Sequence, residues 1–227
     1  MIDIASPAAR PLRLAVLASG RGSNLQAILD AIAAGTLDAR VVGVFSDKTS
    51  AAALARARDA GIPAQALRPR SFASREAHDQ AFFDLVDACA PDLIVCAGYM
   101  RLISAAAVDA RPGRMINIHP SLLPAFKGLH TPQQALDAGV GVHGASVHFV
   151  TADLDGGPVI AQARVPVLPG DDAAALGARV LTREHPLLLE TLRWLAAGRI
   201  GLHERTVQCD GRPVTEPLQL TATGRFA

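Results

Sequence analysis

The first half of the chain alternates unbroken apolar runs with segments of helical period. Leu12–Ala18 is apolar except at Arg13 and runs into the turn Ser19-Gly20-Arg21-Gly22. Apolar runs of this length, with no polar alternation, read as strands covered on both faces. Leu25, Ile28, Leu29 and Ile32 then recur at helical spacing up to Gly35, with Ser23 or Asn24 standing where a cap belongs. The same alternation predicts a strand at Arg40–Phe45, a helix at Ala51–Ala60 closed by Gly61 and Pro63, and a weak strand at Ala64–Leu67. A helix at Ser71–Cys89 and strands at Asp92–Cys96 and Arg114–Ile118 follow. Strands and helices in this order predict a mainly parallel α/β sheet.

The pattern then changes. Gly144–Val150 alternates, Gly156-Gly157-Pro158 turns, and Val159–Val167 returns. Two strands so close must pair antiparallel, because a parallel crossover needs a dozen or more residues. Asp171–Ala197 reads as a long closing helix and Gly201–Gln208 as a short edge strand. The expected architecture is a single three-layer domain over residues 12–210. It has a mainly parallel, Rossmann-like sheet and an antiparallel C-terminal portion completing one continuous sheet. Residues 1–11 read as a loose leader and 211–227 as a loose tail.

Composition narrows the classes. Of 227 residues half are hydrophobic, enough for a sizeable core, and the net charge of +1 gives no pull toward nucleic acid or an anionic membrane. Aromatic residues are sparse, so a stacking platform for single-stranded nucleic acid is not expected. Cys89, Cys96 and Cys209 are far apart and form no Cys-x-x-Cys pair. They read as reduced thiols of a cytoplasmic protein. No secretory h-region and no membrane-spanning run is visible.

The segment richest in chemistry is Asn117-Ile118-His119-Pro120-Ser121-Leu122-Leu123-Pro124 at the mouth of a strand. Side chains alternate along a strand, so Asn117 and His119 share a face. Downstream, Asp153-Leu154-Asp155-Gly156-Gly157 brings carboxylates and two glycines. An amide, an imidazole and a carboxylate around one pocket suit acyl transfer without a covalent intermediate. The amide and imidazolium hold a developing oxyanion, and the carboxylate keeps the imidazole charged. Spacing leaves Asp153 and Asp155 both open as the acid.

Gly20-Arg21-Gly22-Ser23-Asn24 joins the first strand to the first helix, where backbone N–H groups and the helix dipole favour an anion. A tight capped turn is the plainer alternative. A dinucleotide site is a third, with Asp47 imitating the ribose-binding acid, although Leu25 occupies the position of the fingerprint's third glycine. A single phosphate fits better than a pyrophosphate, and no Gly-Lys-Ser/Thr follows to make a P-loop.

His130, His143 and His148, taken with His119, match no metal-ligand spacing, so no metal is expected. His148 reads as a buttress. Ser121 lacks the Gly-x-Ser-x-Gly elbow of a nucleophile. Ala97–Ile103 follows the fourth strand at the carboxyl end of the sheet, where ligands bind. Met100, Leu102 and Ile103 form either a flat apolar slot or a helix start packed on the core. Arg75 and Arg101 are candidate partners for a carboxylate.

Together these segments resemble the phosphoribosylglycinamide formyltransferase family of folate-dependent enzymes. The resemblance runs from Leu12 to about Gln208. It rests on Ser-Gly-x-Gly-Ser-Asn at 19–24, Gly-Tyr-Met-Arg at 98–101, Asn-Ile-His-Pro-Ser-Leu-Leu-Pro at 117–124, Gly-Leu-His-Thr at 128–131 and Leu-Asp-Gly-Gly-Pro-Val-Ile at 154–160. The resemblance implies formyl transfer from 10-formyltetrahydrofolate to the amine of 5-phosphoribosylglycinamide, in purine synthesis, by a monomer or homodimer. It implies a catalytic trio of Asn117, His119 and Asp155, and so selects Asp155 over Asp153. Gly22, Ser23 and Asn24 would hold the substrate phosphate and Glu184 the ribose. Met100, Arg101, Leu102 and Ile103, with Asn117 and the backbone before Asp155, would hold the pterin, and Arg75 would lie near the folate glutamate. Leu181 departs from members that carry glutamine near the phosphate.

Three rivals remain. A formyltetrahydrofolate deformylase would be expected to carry an N-terminal regulatory domain that residues 1–11 do not supply. A methionyl-tRNA formyltransferase would carry a C-terminal nucleic-acid-binding domain beyond Gln208. A non-catalytic nucleotide-binding module would keep the glycine loop but has no use for the amide–imidazole pair.

Overall fold

The computed structural model describes residues 10–227, and most of the leader expected over 1–11 lies outside them. The chain divides into two units, one ending at Asn117 and the other beginning at Ile118.

In the first unit, β1 (Leu12–Leu17), β2 (Ala39–Ser46), β3 (Ala64–Ala66), β4 (Leu93–Cys96) and the first three residues of β5 (Met115–His119) alternate with helices α1 (Ser23–Ala33), α2 (Ala52–Asp59), α3 (Arg75–Ala88) and α4 (Ala105–Asp109). Every pairing is parallel, in the order β5-β4-β1-β2-β3. Leu14, Ala15, Val16 and Leu17 of β1 and Ile94 and Val95 of β4 are wholly buried, which is why these strands show no polar alternation. The amino-terminal ends of β1 and β4 are pinned by Asp92, whose carboxylate takes two hydrogen bonds from the Arg10 guanidinium and one from the Arg13 amide.

The expected caps of α1 are not used. Ser23 and Asn24 lie within the helix, and the cap position is Gly22, at φ 72° with no side-chain bond. A Cβ on Gly22 would sit 2.8 Å from Cα of Ala53, so left-handed backbone and close packing on α2 both demand glycine. The short helix α4, with Ser104 as its cap, lies in a stretch where too few periodic positions exist to signal a helix.

In the second unit, β6 (Val142–Phe149) and β7 (Val159–Pro166) pair antiparallel, Ala145 opposite Ala163, as the spacing required. Helix α5 (Thr131–Asp137) precedes them, and α6 (Ala173–Ala196) packs on both strands. Asp172 caps α6, its carboxylate accepting the Ala175 amide at 2.7 Å. Pro186 lies inside α6 and removes one backbone donor. The helix continues because Leu187, Leu188, Leu192 and Leu195 remain buried along one side.

Three expectations are corrected here. Gly201–Gln208 is not one edge strand but a hairpin of β8 (Ile200–His203) and β9 (Thr206–Cys209). Its turn places Glu204 and Arg205 both at positive φ, a mirror-image turn made without the usual glycine or asparagine signal. With β10 (Arg212–Pro213) this hairpin forms a separate three-stranded sheet rather than an edge strand of the main one. Residues 211–227, expected as a loose tail, are packed. Strand β11 (Leu218–Gln219) pairs parallel with β7, and Arg225 forms an ion pair with the buried Glu190 at 3.0 Å. The Phe226 ring meets Trp194 edge-on. The remaining expectation, an α/β fold whose parallel strands are followed by the antiparallel pair β6–β7, is what the structure shows.

Candidate active site

Strand β5 carries Asn117 and His119 on one face, with Ile116 and Ile118 buried on the other. Asn117 is half-buried, and His119 is only 6% exposed. The chain then leaves the strand through Pro120–Phe126, a loop braced from two strands. Ser146 Oγ on β6 donates to the Ser121 carbonyl and accepts the Leu123 amide, and Gln162 Nε2 on β7 donates to the Leu123 carbonyl at 2.8 Å. The brace delivers the Phe126 carbonyl to His119 Nε2 at 3.1 Å. A carbonyl only accepts, so Nε2 of His119 carries a proton, and Nδ1 faces the other way.

Nδ1 of His119 faces Asp155. The contact to Oδ2 is 3.6 Å, an ion-pair distance longer than a hydrogen bond. The Gly128 amide donates to the same Oδ2 at 2.8 Å, which fixes the carboxylate. The turn that presents Asp155 differs from the expected pair of flexible glycines. The left-handed residue is Asp155 itself, at φ 45°, a conformation that Asp tolerates better than most residues. Gly156 and Gly157 serve close approach instead. A Cβ on Gly157 would run into the Phe149 carbonyl, and one on Gly156 would meet Asp153 Cβ at 2.7 Å.

Of the other histidines, His148 lies beside this pair. Its Nε2 is 3.8 Å from Asp155 Oδ1, and its Nδ1 donates to the Phe149 carbonyl at 2.9 Å. Burial pushes its proton affinity down, with the Phe149 carbonyl and Asp155 opposing. His143 is wholly buried, packs edge-on against Phe126, and is also held below the usual imidazole range by burial. His130 sits at the start of α5 in left-handed conformation. Ser121 is wholly buried and donates its hydroxyl to the Ala125 carbonyl, so it is no nucleophile. Among the described residues, no group of three or more His, Cys, Asp or Glu side chains is placed to hold a metal ion. None of the described helices is long and apolar enough to cross a membrane.

In the first unit, the loop after β1 and the loop after β4 are tied together at the carboxyl ends of their strands. Ser19 Oγ donates to Asp47 at 2.5 Å and accepts the Met100 amide at 2.9 Å, and the Ser19 amide donates to the Gly98 carbonyl. Asp47 thus holds a loop serine. Gly22 and Asn24 are buried and Ser23 half-buried at the start of α1. Met100 is 62% exposed and Leu102 48%, while Ile103 and Arg101 are half-buried, so the slot residues precede α4 rather than packing into it. Arg101 Nε points at Asp79 on α3, 3.9 Å away. Arg75, the first residue of α3, is exposed beside Glu76. Glu184 and Leu181 lie half-buried on α6.

The structure thus brings His119, Asp155 and His148 together, keeps Asn117 on the His119 strand face, and leaves Asp153 exposed. Sequence reasoning missed the Phe126 carbonyl, the Gly128 amide and the Ser19 tie. The first two are backbone groups, which carry no residue signal.

The formyl transferase family profile matches residues 12–192. A phosphoribosylglycinamide formyltransferase of Escherichia coli (strain K12) is 49% identical over 201 residues, covering 88% of this chain and 95% of that protein. One from Mycobacterium tuberculosis is 44% identical over 209 residues, covering 92% and 96%. The solved structure of a phosphoribosylglycinamide formyltransferase from Coxiella burnetii superposes with a TM-score of 0.87 at 45% identity, covering 91% of this chain and 97% of that one.

Proposed function

This chain belongs to the formyl transferase family, and from that premise we propose that it is a phosphoribosylglycinamide formyltransferase whose formyl donor is 10-formyltetrahydrofolate. The observation that carries the catalytic reading is the placement of His119 between the Phe126 carbonyl and the Asp155 carboxylate, on the strand face that also bears Asn117.

The glycinamide amine attacks the formyl carbon, the C=O electron pair moves onto oxygen, and a tetrahedral oxyanion forms. The Asn117 amide and the charged His119 donate to that oxygen, with the Nε2–H passing from the Phe126 carbonyl to the stronger acceptor. Asp155 balances the imidazolium. The proton lost by the amine passes, through a water beside Asp155, to the folate nitrogen, and the bond from carbon to that nitrogen breaks. The formyl group ends on the amine, tetrahydrofolate leaves, and no covalent enzyme intermediate is needed.

The proposal also assigns Gly22, Ser23 and Asn24 to the substrate phosphate and Glu184 to the ribose. Met100, Arg101, Leu102, Ile103 and Asn117 hold the pterin, and Arg75 lies toward the folate glutamate. Two exposed apolar side chains on a tied loop suit a flat heterocycle. The protein works in the cytoplasm with small-molecule substrates, as a monomer or homodimer.

The test is an incubation of the purified protein with 10-formyltetrahydrofolate, with and without phosphoribosylglycinamide. Tetrahydrofolate formed only when the amine is present is the expected result. Equal release without it would make the protein a deformylase and overturn the proposal.

A further inference from the structure

Helix α3 carries a buried acid–base pair that the reaction does not use. His78 is wholly buried and Asp79 is 2% exposed. Nδ1 of His78 lies 2.9 Å from Asp79 Oδ1, and its Nε2 lies 3.1 Å from the Leu67 carbonyl. The carbonyl accepts only, so Nε2 carries a proton and Nδ1 is the nitrogen that meets the carboxylate. The ring is clamped by Phe72 edge-on and by Phe82 stacked at 5.5 Å.

The other carboxylate oxygen of Asp79 reaches out of the helix. Oδ2 accepts the Ser104 amide at 2.7 Å, and Oδ1 faces Arg101 Nε at 3.9 Å. Phe82, one turn from His78, packs at 5.6 Å against the Tyr99 ring. One helix therefore holds the loop at Tyr99, at Arg101 and at Ser104. Between these anchors stand Met100 and Leu102, both exposed and apolar.

We propose that the His78–Asp79 pair is a positioning device for the loop 98–104, setting the geometry of its apolar slot and hence its affinity for the folate ring. The proposal rests on the reading of that loop as the pterin contact. A carboxylate buried this deeply costs solvation unless every lone pair is used. Here one oxygen is spent on the imidazole and the other on a loop amide. The imidazole orients the carboxylate, and the carboxylate sets the loop. Both side chains are buried, so they act through Ser104 and Arg101.

The test uses the full chain with Asp79→Asn, which keeps an acceptor for the Ser104 amide but loses the charge, and His78→Gln as a second variant. Circular dichroism and thermal melting establish that each is folded. Hydrogen exchange reads the amides of Tyr99 to Ser104, and steady-state kinetics read KM for each substrate and kcat. Expected are faster exchange confined to that loop and a KM for 10-formyltetrahydrofolate raised about tenfold or more. The KM for phosphoribosylglycinamide and kcat at saturation should stay within about threefold on the same reasoning. Unchanged loop exchange in the folded variants overturns the proposal, and so does an equal rise in both KM values. Met100→Ala separates the two readings. If it leaves folate KM unchanged, the loop is not the pterin contact, and the exchange data judge the positioning role alone.

Discussion

His119 Nδ1 lies 3.6 Å from Asp155 Oδ2, the same oxygen that accepts the Gly128 amide at 2.8 Å. One backbone bond thus fixes the carboxylate, and the carboxylate faces an imidazole whose other nitrogen is held by the Phe126 carbonyl. The imidazole is oriented from both sides before any substrate arrives, so little reorganisation remains for the moment of attack.

If Asn117 and His119 are the donors to the oxyanion, each is worth about 2.7–4 kcal/mol of barrier. Asn117→Ala and His119→Ala should each lower kcat by about a hundredfold or more, with folding intact by circular dichroism. Near-normal turnover in folded Asn117→Ala protein would remove that residue from the mechanism.

Asp155→Asn keeps the size of the side chain and an acceptor for the Gly128 amide but loses the charge facing His119. A large fall in kcat is expected, with substrate affinities changed by no more than about threefold, because the lost interaction belongs to the transition state. Loss of folate binding with kcat preserved at saturation would instead make Asp155 a structural turn residue.

Acid should destabilise the fold through His143 and His148, both held by burial below the ordinary imidazole value of 6.5. Their folded forms stay neutral while the unfolded chain takes up protons, so the unfolded state binds more protons below that pH. Stability from these groups is fully present above about 6.5 and is lost as pH falls toward their folded values. Melting temperature should therefore drop between neutral pH and pH 5. His143→Phe should shrink the drop relative to its own value at pH 8. An identical pH dependence in the variant would show that His143 contributes nothing to it.

Cys96 is buried on β4, and its thiol is pushed up to about 12 by that burial. The thiolate is the reactive form. A thiol reagent at pH 8 should leave Cys96 unmodified in the folded protein and modify it on denaturation. Fast labelling of Cys96 under native conditions would mean that β4 opens.

The alternating strands and helices were legible because burial on both faces leaves unbroken apolar runs, as in Leu14–Leu17. The antiparallel pair β6–β7 was legible from the shortness of its connection. What escaped had no signal of its own. The β8–β9 turn uses Glu204 and Arg205 where sequence rules expect glycine or asparagine, so the hairpin read as one strand. The packed end of the chain depends on partners far away in sequence, since Arg225 and Trp194 converge on Glu190. In the candidate site, Asn117 and His119 were legible from strand alternation. Choosing Asp155 over Asp153 needed the family resemblance. The structure places Asp155 against two histidines and leaves Asp153 outside. Backbone groups such as the Phe126 carbonyl are set by loop geometry, which residue identity alone does not encode.

The most direct measurement compares kcat for wild type, His119→Ala, Asp155→Asn and the double variant under saturating 10-formyltetrahydrofolate and phosphoribosylglycinamide. Residues acting as one unit on the reacting carbonyl lose their effect together, so the double variant should be no slower than the slower single variant by more than about threefold. Losses that multiply across the two single variants would mean that imidazole and carboxylate work independently, contrary to the pairing on which the mechanism rests.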